Sequence, residues 1–352
     1  MKAMQFENPF TVKLREIKIS ELGKNDLLIK VGYTGICGTD LHIYEGKNPF
    51  VKFPIIPGHE FSGTITAVGS SVMNFVQGEN VSINPNLSCI DLGLKEENYC
   101  FYCKRVRPHF CKNWKAIGVT VNGAFAEYVV CPSTSAYRIP ENVSLKEAVF
   151  MEPIACCLHG IYKLKITSGS IVLIIGAGPI GLLMVSLIKS LYNSHIIVIE
   201  PRISRRNLAK LFGANLIIDP INESLNEVIE TETEGNGVDF AIEAVGSRVT
   251  SYIALEFLNK GGKALIFGVS KPMETIVLNL FELYNKEISL IGSFTNPYEN
   301  NDAMKILQNK SINISKLISH ELPLEKLEEG LQLLKRGLDN AIKILIRIED
   351  RI

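Results

Sequence analysis

Apolar positions along the chain fall into two textures. Up to about residue 150 they gather in short runs, LLIKVGYT, GTITAV, NVSI and FAEYVVC, separated by Gly, Pro and Asn. Such runs predict an irregular all-β domain. After about residue 152 strands alternate with helical stretches. IVLIIG, HIIVIE, NLIID, VDFAIEAVG, KALIFGV and ISLIGSF read as strands; the run to Tyr192, NLAKLFG and YIALEFLNKGG read as helices. That alternation predicts an α/β architecture, a doubly wound parallel sheet covered by helices on both faces. Beyond Phe294 come the helical stretches NDAMKILQNK and LEKLEEGLQLLKRG and a last apolar run, IKILIRI, whose packing partner the pattern leaves open.

One uncharged stretch, IVLIIGAGPIGLLMVSLI from Ile171 to Ile188, is long enough to imitate a membrane helix. Gly176, Gly178, Pro179 and Gly181 would break such a helix in its middle, whereas a strand, a tight turn and a helix accommodate all four. No membrane span is expected. At 352 residues the chain suits two domains. Lys plus Arg and Asp plus Glu are 37 each, so no net field gathers nucleic acid or an anionic membrane surface. The eight cysteines suit no secreted disulfide framework, and the start MKAMQF has no signal-peptide pattern. A cytoplasmic protein is expected, where clustered thiols bind metal or react more often than they pair.

GAGPIG, residues 176–181, fits G-x-G-x-x-G between a strand and a helix, and HIIVIE ends in Glu200, nineteen residues past the third glycine. Gly176 makes the turn, Gly178 lets the backbone approach a pyrophosphate, and Gly181 permits close helix packing. Pro179 and Ile180 open the helix whose amides meet the anion, and Glu200 bonds a ribose hydroxyl. An acidic group there favours NAD over NADP. Arg202, Arg205 and Arg206 either face a 2′-phosphate or lie solvated and paired with carboxylates, and Arg205 is counted with the cofactor site.

GICGTDLHIYEG places Cys37, Thr39, Asp40 and His42 within six positions; PGHEFSG adds His59 and Glu60, and MEP adds Glu152. Singly, each has a structural reading, such as a buried thiol or a surface pair. Together they offer one thiolate, one imidazole and two carboxylates, a set suited to a catalytic zinc that keeps a position open.

In the order GICGTD, GHEFSG, GAFAEY, MEP, GAGPIG and VDFAIEAVG, the chain resembles the zinc-containing medium-chain alcohol and polyol dehydrogenases over essentially its whole length. The resemblance implies a GroES-like β-rich catalytic domain, residues 1–153 and 295–352, and an inserted Rossmann NAD-binding domain, residues 154–294. It implies Cys37, His59, Glu60 and Glu152 around catalytic zinc, with Asp40 orienting His59. Thr39 would take the substrate hydroxyl's proton and pass it, by way of the cofactor ribose, to His42. It also implies homodimers or homotetramers, and a structural zinc lobe spaced C-x2-C-x2-C-x7-C.

A free alcohol is too weak an acid to ionise near neutral pH, and hydride leaves carbon readily only when the oxygen carries negative charge. A Lewis acid supplies that, and a nicotinamide takes the hydride.

In the lobe, Cys100, Cys103 and Cys111 keep the last two intervals, but the first has become ten residues, IDLGLKEENY, after Cys89. Loop closure entropy grows only logarithmically with length, so Cys89 can return as fourth ligand. Glu97, at the unmodified position, is the alternative. His109 sits inside the lobe; Cys131, Cys156, Cys157 and His159 read as packing residues, and His195 and His320 as solvated or capping.

Carboxylates at 60 and 152 make the pocket polar, which suits a polyol or sugar acid. Thr295 and Asn296 stand where sorbitol-type members carry arginine, which argues against sorbitol itself. A threonine dehydrogenase remains the alternative. Tyr44 either lines the entrance or fills an interface. The rivals are a zinc-free quinone or enone reductase, which needs neither CGTD, GHE nor the cysteine lobe, and a zinc-ribbon binding module, which zero net charge and GAGPIG disfavour.

Overall fold

The structure is a computed structural model, and it describes residues 1–348; residues 349–352, the end of the expected 295–352 segment, lie outside them. The chain opens with β1 (Lys2–Asn8), β2 (Thr11–Glu16), β3 (Asp26–Gly35), α1 (Gly38–Tyr44), β4 (Glu60–Val68) and β5 (Asn80–Ile83). Then come β6 (Asn86–Leu87), β7 (Lys115–Ala116), β8 (Tyr128–Pro132), β9 (Ala136–Arg138), α2 (Leu145–Ala148) and α3 (Met151–Leu164). An alternating series follows: β10 (Ile171–Ile175), α4 (Pro179–Tyr192), β11 (His195–Ile199), α5 (Ile203–Leu211), β12 (Leu216–Ile218) and α6 (Leu225–Glu232). It continues with β13 (Val238–Glu243), α7 (Arg248–Glu256), β14 (Leu258–Ile266), α8 (Leu280–Lys286) and β15 (Ser289–Gly292). The last elements are α9 (Asn300–Gln308), β16 (Ile318–Pro323), α10 (Leu327–Arg336) and β17 (Lys343–Arg347).

Two compact units result: one of Met1–Ala155, Thr295–Lys310 and the chain from Ile314 onward, the other of Cys156–Phe294 with Ser311–Asn313. The second holds a six-stranded sheet in the order β12-β11-β10-β13-β14-β15, with every neighbouring pair parallel. Its central strands are continuous apolar runs because both faces are covered. Leu173, Ile175, Ile197, Ile199 and Ile218 meet there in one buried cluster. Successive strands are added in opposite directions on either side of β10 and β13, and ligands of such sheets bind at the carboxyl ends of the strands at that reversal. Ile171–Ile188, the stretch that imitates a membrane helix, divides between β10 and α4. No helix among the described residues is long and apolar enough to cross a membrane.

One element differs from the pattern: the helix read through YIALEFLNKGG stops at Glu256, and Leu258 already begins β14. Pairing with β13, with a register shift between Val238 and Phe240, outweighs the local helical period.

In the first unit a sheet runs β16-β17-β3-β4-β5-β9, with β8 also paired to β3. The last apolar run, IKILIRI, therefore finds its partner in β3, against which β17 pairs antiparallel. α10 lays Leu327, Gly330 and Leu331 on this sheet and keeps Lys335 and Arg336 in its last turn. A Cβ at Gly330 would come within 2.6 Å of Ile36 Cδ1, so glycine sets how closely helix and sheet approach. The β1–β2 hairpin and β16 escape a pattern reading because polar residues interrupt their apolar positions.

Candidate catalytic metal and dinucleotide sites

Strand register gathers the first group. At the end of β3, Gly35 pairs with Glu60 on β4 and with Leu345 on β17. Cys37 follows Gly35, His59 precedes Glu60, and Lys343 precedes Leu345, so antiparallel pairing brings all four to one end of the sheet. Cys37, His59 and Glu60 each offer a ligand atom, and these atoms lie within 4.8 Å of one another. Asp40 is buried and accepts the Cys37 N–H at 2.8 Å on Oδ2 and the Gly58 N–H at 3.3 Å on Oδ1. The same Oδ1 stands 3.5 Å from His59 Nδ1, within ion-pair reach of the ring. Burial alone would push the His59 imidazolium down; Asp40 and Cys37 beside it more than reverse this and hold its pKa well above the ordinary value. A cysteine sulfur, an imidazole and a carboxylate so close together are a donor set that fits a zinc ion.

Sequence reasoning missed Lys343. Lys343 is 3% exposed, and its ammonium forms an ion pair with the carboxylate of Glu60, a residue itself 1% exposed. Burial disfavours the charged lysine, but Glu60 first and then Cys37 more than compensate, and its pKa is raised. The available signal was a lone lysine inside the apolar run IKILIRI. Gly35 makes room for the pair: a Cβ there would sit 2.4 Å from Glu60 Oε2 and 3.0 Å from Lys343 Cε.

Glu152 is not in the close group of three. It opens α3, and its charge also acts on Lys343. Thr39 and His42 lie three apart on α1, hence on one face, and both are half-buried. Tyr44 lines no entrance: it is 4% exposed, donates from its hydroxyl to Glu328 at 3.0 Å and accepts from Gln332 at 3.1 Å on α10.

The second group is the cysteine lobe. Cys89, Cys100, Cys103 and Cys111 bring their sulfurs within 4.8 Å of one another, all as free thiols. The inserted loop folds back on itself. Asp91 accepts from Ser88 N–H at 2.7 Å and from Thr134 Oγ1 at 2.7 Å, while Leu92 and Leu94 amides close turns onto Ser88 and Cys89. This returns Cys89 to the cluster. Glu97 lies exposed in the one-turn 3₁₀ stretch Glu96–Asn98, outside it, as does His109. Burial works against ionising Cys100, but backbone amides of Cys103, Lys112 and Tyr102 aimed at its sulfur bring its pKa down to about 6. That readiness suits a closed tetrahedral site. Burial instead raises the Cys103 and Cys111 thiols of the same cluster, and it pushes the core thiol Cys131, outside the lobe, up to about 12.

The dinucleotide candidates lie in the other unit. Gly176 has φ +95°, a conformation only glycine adopts readily, and a Cβ on Gly181 would sit 1.9 Å from Gly176 O. Gly178 caps α4 without a side-chain hydrogen bond and Pro179 occupies its first turn, so the first-turn amides face outward for an anion. Glu200 is 3% exposed; its oxygens accept the Ala177 N–H at 2.8 Å and the Arg202 N–H at 3.0 Å, which ties the glycine turn to the end of β11. The three arginines part company. Arg206 is held by Asp219 at 2.9 Å and by main-chain carbonyls, and Arg202 is exposed. Arg205 lies over the turn, its Nη1 3.9 Å from where a Cβ on Gly178 would be. Nearby, Glu243 at the end of β13 accepts from the Val245 and Gly246 amides at 2.8 Å each, and so braces the adjoining loop.

Residues 23–141 match the alcohol dehydrogenase GroES-like domain and residues 179–309 match the zinc-binding dehydrogenase domain. The chain belongs to the zinc-binding dehydrogenases. This dehydrogenase is 33% identical to a sorbitol dehydrogenase of Halalkalibacterium halodurans over 92% of each chain. It is 31% identical to an L-threonine 3-dehydrogenase of Pyrococcus furiosus over 98% of each. A solved zinc-binding dehydrogenase from Sinorhizobium meliloti, bound to NADP, superposes with a TM-score of 0.90 at 32% identity, covering 98% of both chains. The GroES-like and Rossmann folds are thus shared, and the chain is an oxidoreductase that uses zinc and NAD(P).

Proposed function

We propose that this dehydrogenase oxidises a secondary alcohol of a polyol or sugar acid and passes the hydride to NAD. The donors of its catalytic metal are Cys37, His59, Glu60 and Glu152, and those of its structural metal are Cys89, Cys100, Cys103 and Cys111. The close Cys37–His59–Glu60 group, with Cys37 half-buried and the other two buried, carries this reading. Zinc there supplies a Lewis acid that acidifies an alcohol, and NAD supplies the hydride acceptor. Asp40 holds the His59 ring, Thr39 takes the hydroxyl proton, and His42, on the same face of α1, hands it to solvent. The polar, carboxylate-bearing site favours a hydroxyl-rich substrate.

Incubation with NAD or NADP and a panel of alditols, aldonates, L-threonine and simple diols should yield reduced cofactor, fastest with an alditol or aldonate. A clear preference for L-threonine would move the assignment to the hydroxy amino acid. Silence across the panel, with turnover of quinones and NADPH, would sink it. Glu200 underlies the choice of NAD: Glu200→Gln removes the charge that repels a 2′-phosphate and keeps one of the two acceptors for the Ala177 and Arg202 amides. The NADP-to-NAD ratio of kcat/KM should rise about tenfold, the equivalent of one pKa unit of interaction.

The protein forms a homodimer or a homotetramer, and β15 supplies a subunit contact. This strand ends its sheet, and Met273, Val277, Leu280, Phe281 and Tyr284 beside it in sequence are all more than two-thirds exposed. An apolar edge strand invites pairing with a second copy. Leu290→Lys should lower the sedimentation coefficient to that of a smaller assembly; an unchanged value would place the contact elsewhere. Free thiols at all eight cysteines agree with a reducing, cytoplasmic setting.

A further inference from the structure

A chain of side-chain amides connects the cysteine lobe to the first turn of α3. Asn113 donates from Nδ2 to Cys89 Sγ at 3.5 Å, and from its backbone N–H to Cys111 Sγ at 3.3 Å. The next residue, Trp114, donates from Nε1 to Asn86 Oδ1 at 3.2 Å. Asn86, on β6 at the base of the lobe, donates from Nδ2 to Asn296 Oδ1 at 2.8 Å. Asn296 then donates from Nδ2 to the main-chain carbonyl of Glu152 at 3.4 Å. The segment bearing Asn296 is tied to the lobe a second time, since the Tyr298 hydroxyl donates to the Val106 carbonyl.

Asn296 is fully buried, and a buried carboxamide stays in place only if its donors and acceptor are matched. Asn86 and Asn296, with Asn84, Tyr137 and Tyr298, help line a cavity of about 190 Å³.

We propose that Asn296, backed by Asn86 and Trp114, is a positioning residue for Glu152, so that the cysteine lobe sets where that carboxylate stands relative to Cys37, His59 and Glu60. The inference rests on the reading of Glu152 as a donor to the catalytic metal. It gives the lobe a role beyond pinning its own loop. Filling four thiolates with a metal immobilises Asn113 and Trp114, and the amide chain carries that order to the head of α3.

The test is zinc retention by the zinc-loaded protein in competition with EDTA, followed alongside turnover. Trp114→Phe keeps an aromatic ring and removes the Nε1 donor; Asn296→Asp keeps the acceptor for Asn86 and removes the donor to Glu152 and to Asn300 Oδ1. Each should release the catalytic zinc about tenfold more readily, at the lower end of what partners outside the ligand set contribute, while the lobe zinc stays. In a Glu152→Gln background, Trp114→Phe should add nothing further, because both changes act through one carboxylate. An undiminished effect in that background would mark general loosening and overturn the inference. Wild-type retention in both Trp114→Phe and Asn296→Asp, while Glu152→Gln loosens the metal, overturns the inference and leaves the reading of Glu152 standing. Wild-type retention in Glu152→Gln removes that reading, and the inference with it.

Discussion

Cys37→Ser should lower kcat by on the order of a thousandfold or more, because the acidification of an alcohol by a Lewis acid amounts to several pKa units and each unit is a factor of ten. Serine is a poor substitute for two reasons. Its hydroxyl does not ionise near neutral pH, so the site loses one of its anions. Oxygen also sits closer to a metal than sulfur does, so the remaining donors no longer meet one centre. Zinc should fall from about two to about one per chain, the survivor being the closed four-thiol site. Cofactor affinity should be unchanged, because Gly176, Gly178, Gly181 and Glu200 belong to a separate compact unit. Equilibrium binding of reduced cofactor checks this together with metal analysis. Turnover near the parent value would show that Cys37 holds no catalytic metal.

Lys343→Met has the second large effect, and it falls on stability. The change leaves Glu60, 1% exposed, as a buried carboxylate stripped of its ammonium partner. Breaking a buried pair from one side costs about 3–5 kcal/mol, since the desolvation of the remaining charge is no longer offset. Urea unfolding of metal-stripped protein should show that loss, and Lys343→Arg should recover part of it, because guanidinium keeps the charge although its fork needs more room. Zinc should narrow the difference, since a cation beside Glu60 replaces the one removed. An equal midpoint for the metal-stripped parent and Lys343→Met would show that the ion pair contributes nothing to folding.

Much of this site is legible in the amino-acid sequence, because some residue types have few other uses at such spacing. GAGPIG between an apolar run and a helix demands a tight turn and close packing, and Gly176 at φ +95° with Gly181 against Gly176 O answers both demands. Cys100, Cys103 and Cys111 are legible for the same reason. Arg202, Arg205 and Arg206 are not separable by sequence, since adjacent positions on one turn point in different directions. Only the positions of Asp219 and Gly178 distinguish the paired Arg206 from Arg205 over the turn. Tyr44 has two equal readings until α10 supplies Glu328 and Gln332.

The two textures of the chain, the tight glycine turn and the two close groups of cysteine, histidine and glutamate side chains are written in the amino-acid sequence, because turn chemistry, apolar period and residue spacing are local properties. Tertiary structure decided what depends on distant segments meeting. The register Gly35–Glu60 and Gly35–Leu345 brings Lys343 to Cys37, His59 and Glu60 across some three hundred residues of chain. The folding of IDLGLKEENY brings Cys89, rather than Glu97, to the other three sulfurs. The buried amides of Asn86 and Asn296 link the cysteine lobe to Glu152. No local pattern encodes such meetings; they follow from strand pairing and from the need of every buried polar group to find a partner.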